Sequence, residues 1–223
     1  RAVKLIVECI ANAVLEAKQG ESMAAAVEED EEAAAFLTGA AYHDYGGHQK
    51  ELLRIGAERP DKELIFTETS IGMWNDGRNL SKRLNSEMSY LGLGSVNNGC
   101  KAVMVWNLML DTDRGPYRPG GCSTCYGAVD IDRKDFKTIT YNSHYYTMGH
   151  LACVVKPGAK RIDVSATTST NDLNYSAFKN ADGTTAFVVS NGTAKPVQLS
   201  IPTEEGKYIN LNVPAHAVCS ARW

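Results

Sequence analysis

The chain lacks the marks of a membrane, nucleic-acid-binding or disulfide-framed protein. No apolar run approaches the roughly 20 residues that a bilayer-spanning helix needs. Lys+Arg number 23 against 26 Asp+Glu, a net charge of -3, so there is no basic footprint for nucleic acid. The six cysteines (Cys9, Cys100, Cys122, Cys125, Cys153 and Cys219) are scattered, unlike the framework of a small secreted domain. Cys122 and Cys125 make one CxxC with no second pair and no His at finger spacing, which argues against zinc; a local loop disulfide and two free thiols both fit. The apolar part of residues 1–7 is too short for a signal peptide. Asn79, Asn174 and Asn191 head glycosylation tripeptides, a pattern too common to decide anything.

What is present is an ordinary globular composition, 43% hydrophobic and 22% charged, in 223 residues, enough for one large domain or two small ones. Residues 3–7 read as a buried strand entered without a lead-in, as though the chain began mid-domain. A helix over 11–36, broken near Gly20, follows, and the acidic run 28–32 suits its solvated face. A second strand is expected at 40–43, then the Gly46-Gly47 turn. An amphipathic helix over 48–58 should carry Leu52, Leu53 and Ile55 on its apolar side and end at Pro60. A third strand lies at 64–66. A helix over 80–96 has Leu84, Met88, Leu91 and Val96 near helical spacing, and a fourth strand lies at 102–108. This alternation of strand and helix implies a parallel sheet. A Gly/Pro/Cys loop runs to Gly127, and a helix is expected over 141–151.

From about residue 151 the pattern changes. Short β-rich runs at 160–165, 173–180, 185–190, 197–201, 207–213 and 217–223 are punctuated by Asp182-Gly183, Asn191-Gly192 and Glu205-Gly206. This predicts an all-β module of sandwich type. The fold class is therefore α/β followed by all-β, divided into residues 1–150 and 151–223. The first part holds four βα repeats, half of an eight-stranded barrel, and an isolated half would expose its sheet edges and core.

Glu68 is the residue that suggests chemistry. It follows the apolar run Leu64-Ile65-Phe66 at the C-terminal tip of its strand, where the active sites of parallel α/β folds collect. The neighbouring strand ends in Trp106-Asn107. A carboxylate that must stay ionised needs donors, and His43, Tyr45 and Asn107 come from neighbouring strand ends. Trp106 and Trp74 offer flat apolar faces. Asp111 with Arg114, and Asn75, Asp76 and Arg78, either shape further contacts or form a surface pair and a capped turn.

Together these segments resemble glycoside hydrolase family 30. Phe66-Thr67-Glu68-Thr69-Ser70-Ile71-Gly72-Met73-Trp74 is similar to its nucleophile strand. Residues 103–111, with Arg114-Gly115-Pro116 after them, resemble its eighth barrel strand, and Ala41-Tyr42-His43-Asp44-Tyr45 its sixth. Residues 134–156 and the Asn180-Ala181-Asp182-Gly183 hairpin resemble its passage into the β-sandwich. The resemblance runs from about residue 28 to the C-terminus; residues 1–27 fit poorly, and no role passes to Glu8 or Asn12. It implies the C-terminal half of a (β/α)8 TIM barrel followed by a β-sandwich. Glu68 is then the nucleophile of a retaining hydrolase of β-linked glucans or glucosides, with His43, Tyr45, Trp74, Trp106 and Asn107 on the sugar. The endo-β-1,6-glucanase branch fits the 74–80 and 122–125 loops, ahead of glucosylceramidases and then β-fucosidase or β-xylosidase relatives. The family's acid/base stands in an Asn-Glu motif, and this chain contains no such dipeptide. Two rivals follow: a non-catalytic fragment with a carbohydrate-binding tail, or a chain that completes its barrel with a separate N-terminal half or another copy. No metal or organic cofactor is implied, and the family's habits suggest an extracytoplasmic location.

Overall fold

The computed structural model describes residues 31–76, 78–167 and 171–223. The expected strand at 3–7, Cys9 and most of the helix over 11–36 lie outside the described residues; Glu31–Ala34 is helical.

Three strands, β1 (Gly39–His43), β2 (Glu63–Glu68) and β3 (Cys100–Val103), form a parallel sheet in that order. The helix α1 (Glu51–Glu58) joins β1 to β2. A longer helical segment joins β2 to β3: α2 (Leu80–Glu87), a π-helical turn (Met88–Gly92) and α3 (Leu93–Asn97). One face of this sheet is covered: β2 alternates buried Leu64 and Phe66 with half-buried neighbours, and Lys101 and Ala102 of β3 are exposed. Leu64 and Phe66 of β2 are buried with Leu52 of α1, Leu91 and Cys100. Leu53, expected on the apolar side of α1, is instead 55% exposed. One residue of helix turns a side chain by about 100°, so Leu52 and Leu53 cannot both face the sheet.

The segment over 80–96 departs from a uniform helix at its π turn. Met88 and Leu93 are fully buried against Val154, Phe178, Ala186, Val188 and Val218, whereas Leu91 joins the sheet core. The i→i+5 turn lets one segment serve both cores. The fourth strand is shorter than the predicted 102–108: β3 ends at Val103, and Asn107 has φ 60, which breaks the extended run. The amides of Met104 and Trp106 still donate to the Phe66 and Thr69 carbonyls, so the chain keeps running beside β2.

Beyond Asn107 lies a small sheet absent from the sequence reading: β4 (Met109–Asp111) parallel to β5 (Val129–Ile131), which pairs with β6 (Ile139–Tyr141). The helix α4 (Ser143–Val154) follows, so a division at 150/151 falls inside it. Next come β7 (Lys160–Ile162), β8 (Leu173–Lys179), β9 (Thr185–Asn191), β10 (Val197–Pro202), β11 (Tyr208–Val213) and β12 (Ala217–Arg222). A four-stranded sheet, order β12-β9-β8-β7, lies between the helices and the β10-β11 hairpin. The period-2 alternation is visible in β9: Ala186 and Val188 face the helices, Phe187 and Val189 the hairpin. Gly183 (φ 85) and Gly206 (φ 74) sit in the β8–β9 and β10–β11 turns, where a left-handed backbone favours glycine.

Leu93→Ala empties a fully buried position and should cost about 2–5 kcal/mol, whereas Leu53→Ala should stay within about 0.5 kcal/mol. Urea-unfolding midpoints of the two variants measure the contrast.

Candidate active site

The register of the parallel sheet places the chemistry. An irregularity after Tyr42 makes His43 the partner of Glu68, and Tyr45 and Ser70, each two residues past its strand end, meet beside them. The Tyr45 hydroxyl donates to Glu68 Oε1 at 2.7 Å and lies 2.9 Å from Ser70 Oγ. His43 Nδ1 stands 3.9 Å from the same oxygen, an ion-pair distance rather than a hydrogen bond. The His43 and Tyr45 rings meet edge to face at 5.8 Å. Both contacts fall on Oε1; Oε2 carries no hydrogen bond among the described residues. The Glu68 side chain is 26% exposed, reachable by a ligand yet held in place.

The Tyr45 ring is open to solvent, but its hydroxyl is tucked between Ser70 and Glu68. Burial of that hydroxyl raises its pKa, and Glu68 adds to the rise. Tyr45 therefore stays protonated and donates.

Trp106 is 44% exposed and Trp74 56%, so both rings present open faces. Trp106 is fixed through its amide to Thr69, next to Glu68. Asn107 is placed by its left-handed backbone, its carbonyl accepting from the Ala128 amide; among the described residues its side chain makes no hydrogen bond to Glu68. A cleft of about 660 Å³ adjoins the site, lined in part by Asp44, Tyr45, Ser70, Trp74, Arg83 and Tyr90. Asp44, Ser70 and Tyr90 escaped the sequence reading. Ser70 was accessible to it by counting two residues along the strand from Glu68, whereas Asp44 and Tyr90 meet only in the fold.

Of the loop residues weighed as sugar contacts, Asp111, Arg114, Arg78 and Asn75 make hydrogen bonds within the fold. Asp111 Oδ1 accepts from the Asp113 and Gly115 amides, and Arg114 Nε donates to the Ser123 carbonyl. Arg78 Nη2 donates to the buried Asp130 at 2.7 Å while its guanidinium sits 4.2 Å from the Tyr126 ring centroid. Asn75 Oδ1 accepts from the Gly72 amide. Cys122 and Cys125 form a disulfide, and the loop they close pairs with the segment after Glu68: Met73 N to Thr124 O at 3.0 Å, Tyr126 N to Ile71 O at 2.7 Å. Among the described residues no group of three or more His, Cys, Asp or Glu could hold a metal ion, and no helix is long and apolar enough to cross a membrane.

Residues 158–221 match the family described as "Glycosyl hydrolase family 30 beta sandwich domain". The C-terminal domain belongs to glycoside hydrolase family 30. Most of the chain is also similar to longer proteins. The endo-beta1,6-glucanase BT3312 is 52% identical, with a TM-score of 0.86 over 90% of this chain and 44% of its own. SrfJ from Salmonella typhimurium is 25% identical, with a TM-score of 0.79 over 90% of this chain and 44% of its own. A "Putative glucosylceramidase 2" of Caenorhabditis elegans is 29% identical over 180 residues, 77% of this chain and 34% of that protein. The chain thus spans less than half the length of these relatives.

On α4 His144 is fully buried, and burial pushes its imidazole down to about 4 against an opposing pull from Asp130. The unfolded chain protonates near 6.5, so stability should fall as pH drops from 6.5 towards 4, by up to about 3 kcal/mol. His144→Phe should remove this slope, read as the difference between variant and parent urea midpoints across that range. The difference cancels Glu87, whose pKa burial raises and which titrates in the opposite sense.

Proposed function

We propose that the chain is the C-terminal half of a retaining glycoside hydrolase acting on β-linked glucan, most closely an endo-β-1,6-glucanase, with Glu68 as nucleophile. The observation that carries this reading is the Tyr45 hydroxyl on Glu68 Oε1 at a strand tip beside His43, in a chain 52% identical to an endo-beta1,6-glucanase. In it, residues 1–150 supply strands five to eight of a (β/α)8 barrel and residues 151–223 the sandwich. The parallel order β1-β2-β3, each joined by helix, supports the first part.

Tyr45 fixes one oxygen of Glu68 and leaves Oε2 to attack the anomeric carbon. His43 and Asn107 meet sugar hydroxyls, and Trp106 and Trp74 stack on pyranose faces. The second carboxylate, about 5–5.5 Å away in a retaining enzyme, protonates the leaving oxygen and then activates water. It comes from upstream residues or another chain, since the Asn-Glu motif is absent here. A disulfide in the loop packed beside Trp74 supports an extracytoplasmic location, where such bonds persist.

In protein that also carries the acid/base, β-1,6-glucan should be cleaved in preference to glucosylceramide or an aryl β-glucoside. Glu68→Gln should lower that turnover by about a thousandfold or more with an unchanged unfolding midpoint; retained activity would falsify the nucleophile assignment. The 223-residue chain alone should turn over no aryl β-glucoside, and turnover by it would overturn the missing acid/base.

A further inference from the structure

The Cys122–Cys125 disulfide takes no part in the chemistry proposed for Glu68, yet its loop is seated on the segment that follows this residue. The Met73 amide donates to Thr124 and the Tyr126 amide to Ile71, flanking a bridge between Gly72 and Cys125. Cys125 is buried and Cys122 partly exposed. Gly72 has no room for a side chain: a Cβ there would stand 2.4 Å from the Thr124 carbonyl oxygen and 2.4 Å from Cζ3 of Trp74. The Thr124 carbonyl, Gly72 and the Trp74 indole are therefore packed against one another. Arg114 holds the loop's far side through the Ser123 carbonyl.

We propose that the Cys122–Cys125 disulfide is a positioning element: by pressing Thr124 onto Gly72 and Met73 it sets the Trp74 ring as a sugar-stacking face beside Glu68. The functional meaning rests on the reading of Trp74 given above; the mechanical part does not. Closing a ring across four residues removes most of their backbone freedom. Without the covalent closure, that freedom competes directly with the two backbone hydrogen bonds of the clamp. Opening it takes a thiol reductant. One thiolate of dithiothreitol attacks the partly exposed Cys122 sulfur, the S–S bond breaks, and Cys125 leaves as thiolate and takes up a proton. The reagent's second thiol then displaces Cys122 as a thiol and closes the oxidised reagent's own ring.

The test is amide hydrogen exchange on the 223-residue chain, with and without dithiothreitol, and on the Cys122→Ser/Cys125→Ser double variant. The Met73 and Tyr126 amides should exchange at least about tenfold faster once the disulfide is gone, while the Met104 and Trp106 amides keep their rates. Gly72→Ala keeps the disulfide but fills the shared space, and should shift the Trp74 indole resonance by itself. Unchanged Met73 and Tyr126 rates overturn the proposal, as does equal acceleration at Met104 and Trp106, which marks a general staple. In turnover-competent protein the same loss should raise KM several-fold with kcat within about twofold; an equal fall in kcat and kcat/KM overturns it. Exchange needs no turnover, so failure of the glycosidase reading and failure of the clamp are separately visible.

Discussion

The helical segment over 80–97 is the constraint on which the rest of the chain depends. Met88 and Leu93 point into the core shared with the sandwich, while Leu91, between them, points into the core beneath the parallel sheet. A regular α-helix cannot send these three side chains to those two places, because 88, 91 and 92 share a face and 93 does not. The π turn over Met88–Gly92 resolves the conflict by rotating the C-terminal half of the segment. Polar contacts lock the same joint: Ser143 donates to the buried Glu87, and Asn85 donates to Ser190 of β9. Sheet and sandwich are thereby tied at one continuous seam, and α4 crosses it with Met148 on the sheet side and Val154 on the sandwich side.

That seam holds the helical layer against the strands, and the strands in turn fix the site. Two register irregularities, after Tyr42 in β1 and after Leu64 in β2, offset the three strands. The first skips Thr67 and brings His43 level with Glu68. A uniform register would have paired His43 with Thr67 and turned the intended neighbours to opposite faces. The cluster of His43, Tyr45, Glu68 and Ser70 thus depends on one extra residue in β2 as much as on the identity of its members.

The sequence made most predicted strands legible to within a residue or two, because apolar runs and turn glycines are local signals; the runs at 102–108 and 160–165 end early, at Val103 and Ile162. Residues 173–179, 185–191, 197–202, 208–213 and 217–222 fell on the β-rich runs, with glycines at 183, 192 and 206 in the turns between the first four. The position of Glu68 at a strand tip was legible for the same reason. Three things were not. The π turn leaves no mark in composition, and its apolar spacing imitates a straight helix. The β4-β5-β6 sheet is built from three-residue strands separated by long loops, too short for any periodicity. The duties of Arg78, Asp111 and Arg114 depend on partners such as Asp130 and Ser123, which only the fold brings near, so their side chains read equally well as sugar contacts.

The contrast between these loop residues and the strand-tip residues bears on how the site is organised. The pleat aims Glu68 at the tip of β2, and Tyr45, two residues past the end of β1, reaches it from the bend that follows. Trp74 stands in a loop, and a loop ring needs an external frame to hold one orientation. That frame is built from three directions: the Thr124 carbonyl from the disulfide loop, the Asn75 side chain capping Gly72, and Arg78 tethered to Asp130 over Tyr126. The Thr124 and Asp130 contacts belong to the small β4-β5-β6 sheet or to the loops it carries, and the Asn75 contact is internal to the Trp74 loop. The sheet that the sequence concealed is therefore the scaffold of the site's outer wall, while the sheet that the sequence displayed holds its carboxylate. Variation in the first can reshape the wall around Trp74 while leaving the Tyr45–Glu68 contact in place.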